Sequence, residues 1–222
     1  MKTNLRILQF ALLLMAVSCG SGEFSEPPSV VFGEPQPDGI ENEPGFPARL
    51  QGKFRSLSDG NALEINEKFI ISITTADEKI RISELDSSLR LYGDTVLDLK
   101  TGQKTKVLLQ GDSILSSFSF TDTVFRLNYD NVLRKFRGHY FLNTRYEGEA
   151  WDVKKLSLEK GRLLVSSIRE KEEIESLQAI TESPADTSFP RKFNLSKKQF
   201  REFLGKDGFR NQSVYIREKG LR

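Results

Sequence analysis

The strongest constraint on how this chain can fold is a run of short apolar–polar alternations between residues 49 and 168. Leu50, Gly52 and Phe54 fall on one side of an extended segment, and Leu63, Ile65, Phe69, Ile71 and Ile73 continue the period of two. Residues 95–99, 106–110, 113–120, 123–129, 138–143, 151–158 and 162–167 are further candidate strands. Side chains alternate between faces along a strand, so each short run can cover one side of a core. Gly, Asp and Asn separate the runs, the pattern of an antiparallel meander. No alternation of strands with amphipathic helices occurs, which excludes a doubly wound parallel sheet. The expected fold is all-β dominated, an antiparallel meander curled into a barrel or sandwich, with one or two C-terminal helices.

That core must hold without covalent help. Cys19 is the one cysteine, so no disulfide can form within residues 20–222. Sixteen Phe, five Tyr and Trp151 supply the large apolar surface instead. Trp151 and Val153 share a strand face and are read as core.

Two helices are expected late in the chain. Ser196 can cap the first turn of one and Gln199 can complete the capping box, with Leu195 and Phe200 at the staple positions. Phe200, Phe203 and Leu204 share a face, and Gly205 or Gly208 ends the helix. Residues 170–180 form the other, with Ile174, Leu177 and Ile180 at helical spacing.

The first 48 residues read differently. Lys2 and Arg6 precede an apolar run of eleven residues, 7–17, broken by Gln9. A membrane-crossing helix needs about 20 apolar residues. Ala16, Val17 and Ser18 lead into Cys19, and Gly20 follows. This layout resembles a bacterial lipoprotein signal. The resemblance implies cleavage before Cys19, lipidation of Cys19 and, because Gly20 is not Asp, residence at the outer membrane; it leaves the face open, and the periplasmic side is expected over the outer surface. Two or more acyl chains hold a protein stably where one does not. Residues 20–48 then hold six of the eight prolines (Pro27, Pro28, Pro35, Pro37, Pro44, Pro47) and six acids, with no Lys or Arg. Prolines lack the N–H that ladders need, so an extended tether is expected. The apolar triplet Val30, Val31 and Phe32 interrupts it. The expected organisation is a signal over 1–18, a lipidated cysteine and tether over 19–48, an antiparallel β domain over 49–190, and a basic helix-containing segment over 191–222 packed on it.

Charge is unevenly spread. The formal charge of +2 belongs to Lys2 and Arg6, leaving the remainder neutral, whereas residues 191–222 carry ten Lys or Arg against three acids. Lys197, Lys198 and Arg201 on the capped helix form the candidate surface for an anionic lipid or acidic partner. An exposed sheet edge is the other candidate. Nucleic acid is not expected for an exported protein.

Catalytic signals are sparse. Gly93-Asp94-Thr95, Gly111-Asp112-Ser113 and Thr121-Asp122-Thr123 repeat a turn-to-strand phrase. A metal loop needs closely spaced oxygen ligands, and these aspartates are 18 and 10 residues apart. His139, the one histidine, lies on a strand face opposite Tyr140. It could serve a serine as base, but no Gly-x-Ser-x-Gly elbow occurs, and phosphate-binding glycine fingerprints are absent. No catalytic residue, metal or cofactor is assigned. A carboxylate-dependent hydrolase stays open as an alternative because acids are plentiful, although nothing singles out a pair.

Leu50-Gln-Gly52-Lys-Phe54 is echoed by Phe136-Arg-Gly138-His-Tyr140, each placing an apolar residue, a glycine and an aromatic on one strand face. Over these five residues the chain resembles the opening strand of lipocalin-like barrels. That resemblance implies a barrel carrying a small apolar ligand. The principal expectation remains a non-enzymatic binding or scaffolding module, lipid-anchored in the cell envelope, with an envelope protein as partner.

Overall fold

The computed structural model describes residue 24 and residues 26–183 and 188–218. Cys19 and the expected signal over 1–18 lie outside these described residues. The chain forms two compact units, one built from the described residues up to Ser72 and from Asp122 onward, the other from Ile73–Thr121. Strands dominate both units.

In the larger unit the strands are β1 (Val30–Phe32), β2 (Gly52–Ser56), β3 (Ala62–Ile65), the start of β4 (Phe69–Arg81), the end of β9 (Ser113–Arg126), β10 (Asn131–Phe136), β11 (His139–Arg145), β12 (Trp151–Glu159), β13 (Arg162–Ser167), β14 (Arg191–Phe193) and β15 (Asn211–Arg217). Two helices join them, α1 (Lys171–Thr181) and α2 (Lys197–Gly205). The spatial order is β10-β11-β12-β13-β15-β2-β3-β4-β9. It is an open path rather than a closed barrel. Where the register is described, neighbouring strands of this unit are antiparallel except β1 with β14, which run parallel.

The sheet is buried on both faces. Tyr140 pairs with Leu156 and Leu156 with Val165, and these three belong to a first core with Leu133, Leu142, Phe54, Ile65, Ile70 and Phe125. Strands from both ends of the path supply that core, so the sheet must curl around it. On the opposite face, Phe141 and Val153 join Leu177 and Ile180 of α1 and Phe200 and Phe203 of α2 in a second core. Phe141 meets Phe200 edge-on, with ring centroids 5.1 Å apart. Double coverage explains why Tyr140 to Asn143 are buried without interruption.

The gap in the curl is filled by the segment expected to be a tether, which from Glu26 onward belongs to the folded body. Phe32 pairs with Trp151 and β1 aligns with β14. Asn42 forms a bridge with Arg134, Glu43 N–H donates to Leu133 O (2.7 Å), and Phe46 N–H donates to Glu67 O (2.8 Å). Phe46 and Leu50 enter the first core. The prolines are tolerated because side chains replace ladder bonds. Arg134 donates to the carbonyls of Pro35 and Pro37. Asn143 accepts from Gln36 N–H (2.5 Å) and donates to Gln36 O (2.9 Å).

The C-terminal segment is likewise no appendage. β15 lies inside the sheet between β13 and β2, pairing Leu163 with Tyr215 and Tyr215 with Ser56. Both expected helices form. The capping box of α2 is complete, with Gln199 N–H donating to Ser196 Oγ (3.3 Å) and Ser196 N–H to Gln199 Oε1 (3.0 Å). The glycine echo divides. At Gly52, with φ of 127°, a Cβ would lie 2.5 Å from Arg217 Nη1, so the glycine makes room for that side chain. Gly138 instead turns the β10–β11 hairpin. Phe136 therefore packs toward the second core and Tyr140 into the first.

The smaller unit contains the far part of β4, the near part of β9, β8 (Leu108–Gln110) beside it, and a separate sheet of β5 (Leu89–Tyr92), β6 (Thr95–Asp98) and β7 (Lys104–Lys106). Ile82 N–H donates to Asp112 O (2.8 Å), and Lys79 Nζ donates to Gln110 Oε1 (3.1 Å). The third turn-to-strand phrase is corrected, because Asp122 lies within β9 rather than at a turn.

Candidate functional site

An edge strand with apolar side chains is the feature of the smaller unit with clear binding potential. Among the described residues β8 ends the strand order of the large sheet. Its Leu108 is 67% exposed and its Leu109 43%. Tyr92, Leu99 and Phe120 of the same unit are also exposed. The buried apolar side chain described in this unit is Ile114. A free edge offers unpaired N–H and C=O groups to an incoming strand, and lysines commonly guard such edges. β7 has that guard in Lys104 and Lys106, whereas β8 carries no charge.

The basic surface expected from the sequence is formed by α2. Phe200 and Phe203 face inward, so Lys197, Lys198 and Arg201 stand on the exposed side. Lys197 Nζ lies 5.8 Å from the Phe136 ring centroid, while Glu202 pairs with Lys206 (2.9 Å). Fixed on one well-capped helix, the three cations present a contiguous positive face.

His139 has a partner that the sequence did not reveal. It sits directly across from Ser157 in the ladder, and its Nδ1 shares a 2.7 Å hydrogen bond with Ser157 Oγ. Ser157 is only 3% exposed, so its hydroxyl is not open to a substrate as a nucleophile. Burial, and secondarily Lys155, pushes the His139 imidazole below its usual range; Glu159 acts in the opposite direction and Arg137 adds to the lowering. Burial also lowers Lys155, whose Nζ packs 5.6 Å from the Phe209 ring centroid.

A pH effect follows. The unfolded chain binds a proton at His139 near pH 6.5, and the folded chain binds it only at lower pH. This contribution to stability is complete above that point and is lost as pH falls through the window below it. Urea midpoints should therefore drop between pH 7 and 5 by more in the natural chain than in His139→Gln. Equal pH dependence in the two proteins would remove this role.

The other candidate groups are structural. Asp94 Oδ1 accepts from Thr95 Oγ1 (3.1 Å) and Asp112 Oδ1 from Ser113 Oγ (2.9 Å), which are turn contacts. Among the described residues no three His, Cys, Asp or Glu side chains are grouped to hold a metal. Lys154 Nζ is paired with Asp152 (2.5 Å). Glu173, buried in α1, ties two elements together: its Oε2 accepts from the N–H of Arg169 and of Glu170 (both 3.0 Å), and its Oε1 from Arg210 N–H (2.7 Å). The interior of the curled sheet is filled by side chains of the first core. Among the described residues no helix is long and apolar enough to cross a membrane.

No family model, curated protein or solved structure matches this chain.

Proposed function

We propose that this chain is a lipid-anchored, non-enzymatic binding module of the bacterial outer membrane, facing the periplasm, which takes an envelope protein as partner along the edge of β8. The observation that carries this reading is the unguarded edge at Leu108 and Leu109, in a unit where Tyr92, Leu99 and Phe120 are also exposed. An extended partner segment would add a strand there, its backbone supplying affinity and its alternate side chains reaching the leucines. The packed first core weighs against carriage of a small apolar ligand.

The test is photocrosslinking in intact cells from position 108, combined with the Leu108→Asp/Leu109→Asp double variant. Both leucines are exposed, so thermal stability should change little while the crosslinked partner is lost. Charge reversal at Lys197, Lys198 and Arg201 should leave capture intact. Loss of capture on charge reversal alone would move the binding surface to α2. Capture unaffected by either variant would sink both surfaces.

A further inference from the structure

We infer that the surface around Phe189, Arg191 and the Glu26–Arg169 ion pair lies against the bilayer that holds the lipid. This rests on the acylation of Cys19 proposed above. Only seven positions separate Cys19 from Glu26. Such a length spans at most about 25 Å when fully extended, at roughly 3.3–3.6 Å per residue.

The body takes hold of the chain at once. Phe24 packs against the first core, and Glu26 pairs with Arg169 at 2.8 Å. Ser29 O accepts from Arg191 N–H at 3.0 Å, and Val30 opens β1. The long tether that would have carried the body clear of the headgroups is thus folded away. The point where the chain leaves the body stays close to the membrane surface.

What surrounds that point suits a bilayer interface. Phe189, two residues before Arg191, is 70% exposed. Covalent geometry keeps its Cα within about 7.6 Å of that of Arg191, at 3.8 Å per step. Arg191 and the exposed Lys192 add positive charge on the strand paired with β1. Glu26 is neutralised by Arg169, whereas Glu170 and Glu172 at the start of α1 temper the local charge. Aromatic insertion, rather than attraction to anionic lipid, is therefore the leading contribution. An aromatic ring beside cations is the composition that settles at a headgroup boundary.

The natural chain has one cysteine, so an acylated Phe189→Cys variant carries one free thiol for a polarity-sensitive dye. Glu159→Cys is the comparison, at the other end of β12 from the Trp151–Phe32 pair. Eight steps of strand put it about 26 Å away, at roughly 3.3 Å per residue. Both full-length variants are made in an exporting bacterium and reconstituted into phosphatidylethanolamine–phosphatidylglycerol vesicles bearing a shallow nitroxide quencher. Intact mass reports the acyl chains.

The expected result is a blue shift and loss of emission for the dye at 189, with neither at 159. An acylated protein whose dye at 189 behaves like that at 159 overturns the membrane-facing surface and leaves the anchor standing. A protein whose mass shows no acyl chain, and which stays off the vesicles, overturns both together.

Discussion

A chain that begins at residue 49 should lose cooperative unfolding. The deletion takes away Val30, Val31, Phe32 and Phe46, all nearly or fully buried. Burial of such side chains is worth about 1.5–3 kcal/mol each, so the loss is on the order of 8 kcal/mol. Whole domains are stable by only about 5–15 kcal/mol. The deletion also strips Arg134 and Asn143 of the carbonyls and N–H that they satisfy, and it uncovers Phe193 and Trp151. Near-ultraviolet circular dichroism during heating provides the check. A sharp transition at the unchanged midpoint would mean that residues 26–48 are a tether after all.

Glu173→Ala should be the most damaging single change of a polar residue. The carboxylate is 2% exposed and satisfies three backbone N–H groups from two separate stretches of chain, Arg169–Glu170 and Arg210. Each buried donor left without a partner costs about 1–3 kcal/mol, so a loss of roughly 3 kcal/mol or more is expected. Glu173→Gln keeps the shape and one acceptor oxygen but turns an NH2 group toward an N–H, and should fall between the natural chain and alanine. Urea denaturation at pH 7 measures both. An alanine variant as stable as the natural chain would mean that water replaces the carboxylate without penalty.

The β character of the chain and its two helices were legible because local signals sufficed: period-two alternation, turn residues, and a capping box at Ser196 and Gln199. Other elements were hidden for physical reasons. β10 shows no alternation because Val132 and Leu133 are both buried, one on each face of a covered sheet. β1 is three residues in a proline-rich, acidic stretch, and its partners β12 and β14 are remote in sequence. Glu173 shares the helix face of Leu177 and Ile180, unlike the exposed Glu172 and Glu175, but the Arg210 N–H that it also satisfies comes from a distant stretch of chain that the sequence does not place beside it. The candidate edge was half legible. Residues 106–110 read as a strand, but its place at the end of the strand order among the described residues is a property of topology. The positive face of α2 followed directly from Lys197, Lys198 and Arg201 on a helix whose buried side was plain.

The position of β15 bears on when this protein can acquire its structure. Tyr215 pairs with Ser56 across 159 positions of sequence, while β10 to β13 are joined by short hairpins. Closing so large a loop is entropically expensive, and such distant pairings slow folding. The hairpins can form as soon as they are synthesised, but β2 and β13 are not bridged until residues 211–217 arrive. Until then residues 52–56 and 162–167 wait without the strand that bridges them, and the sheet cannot complete its curl.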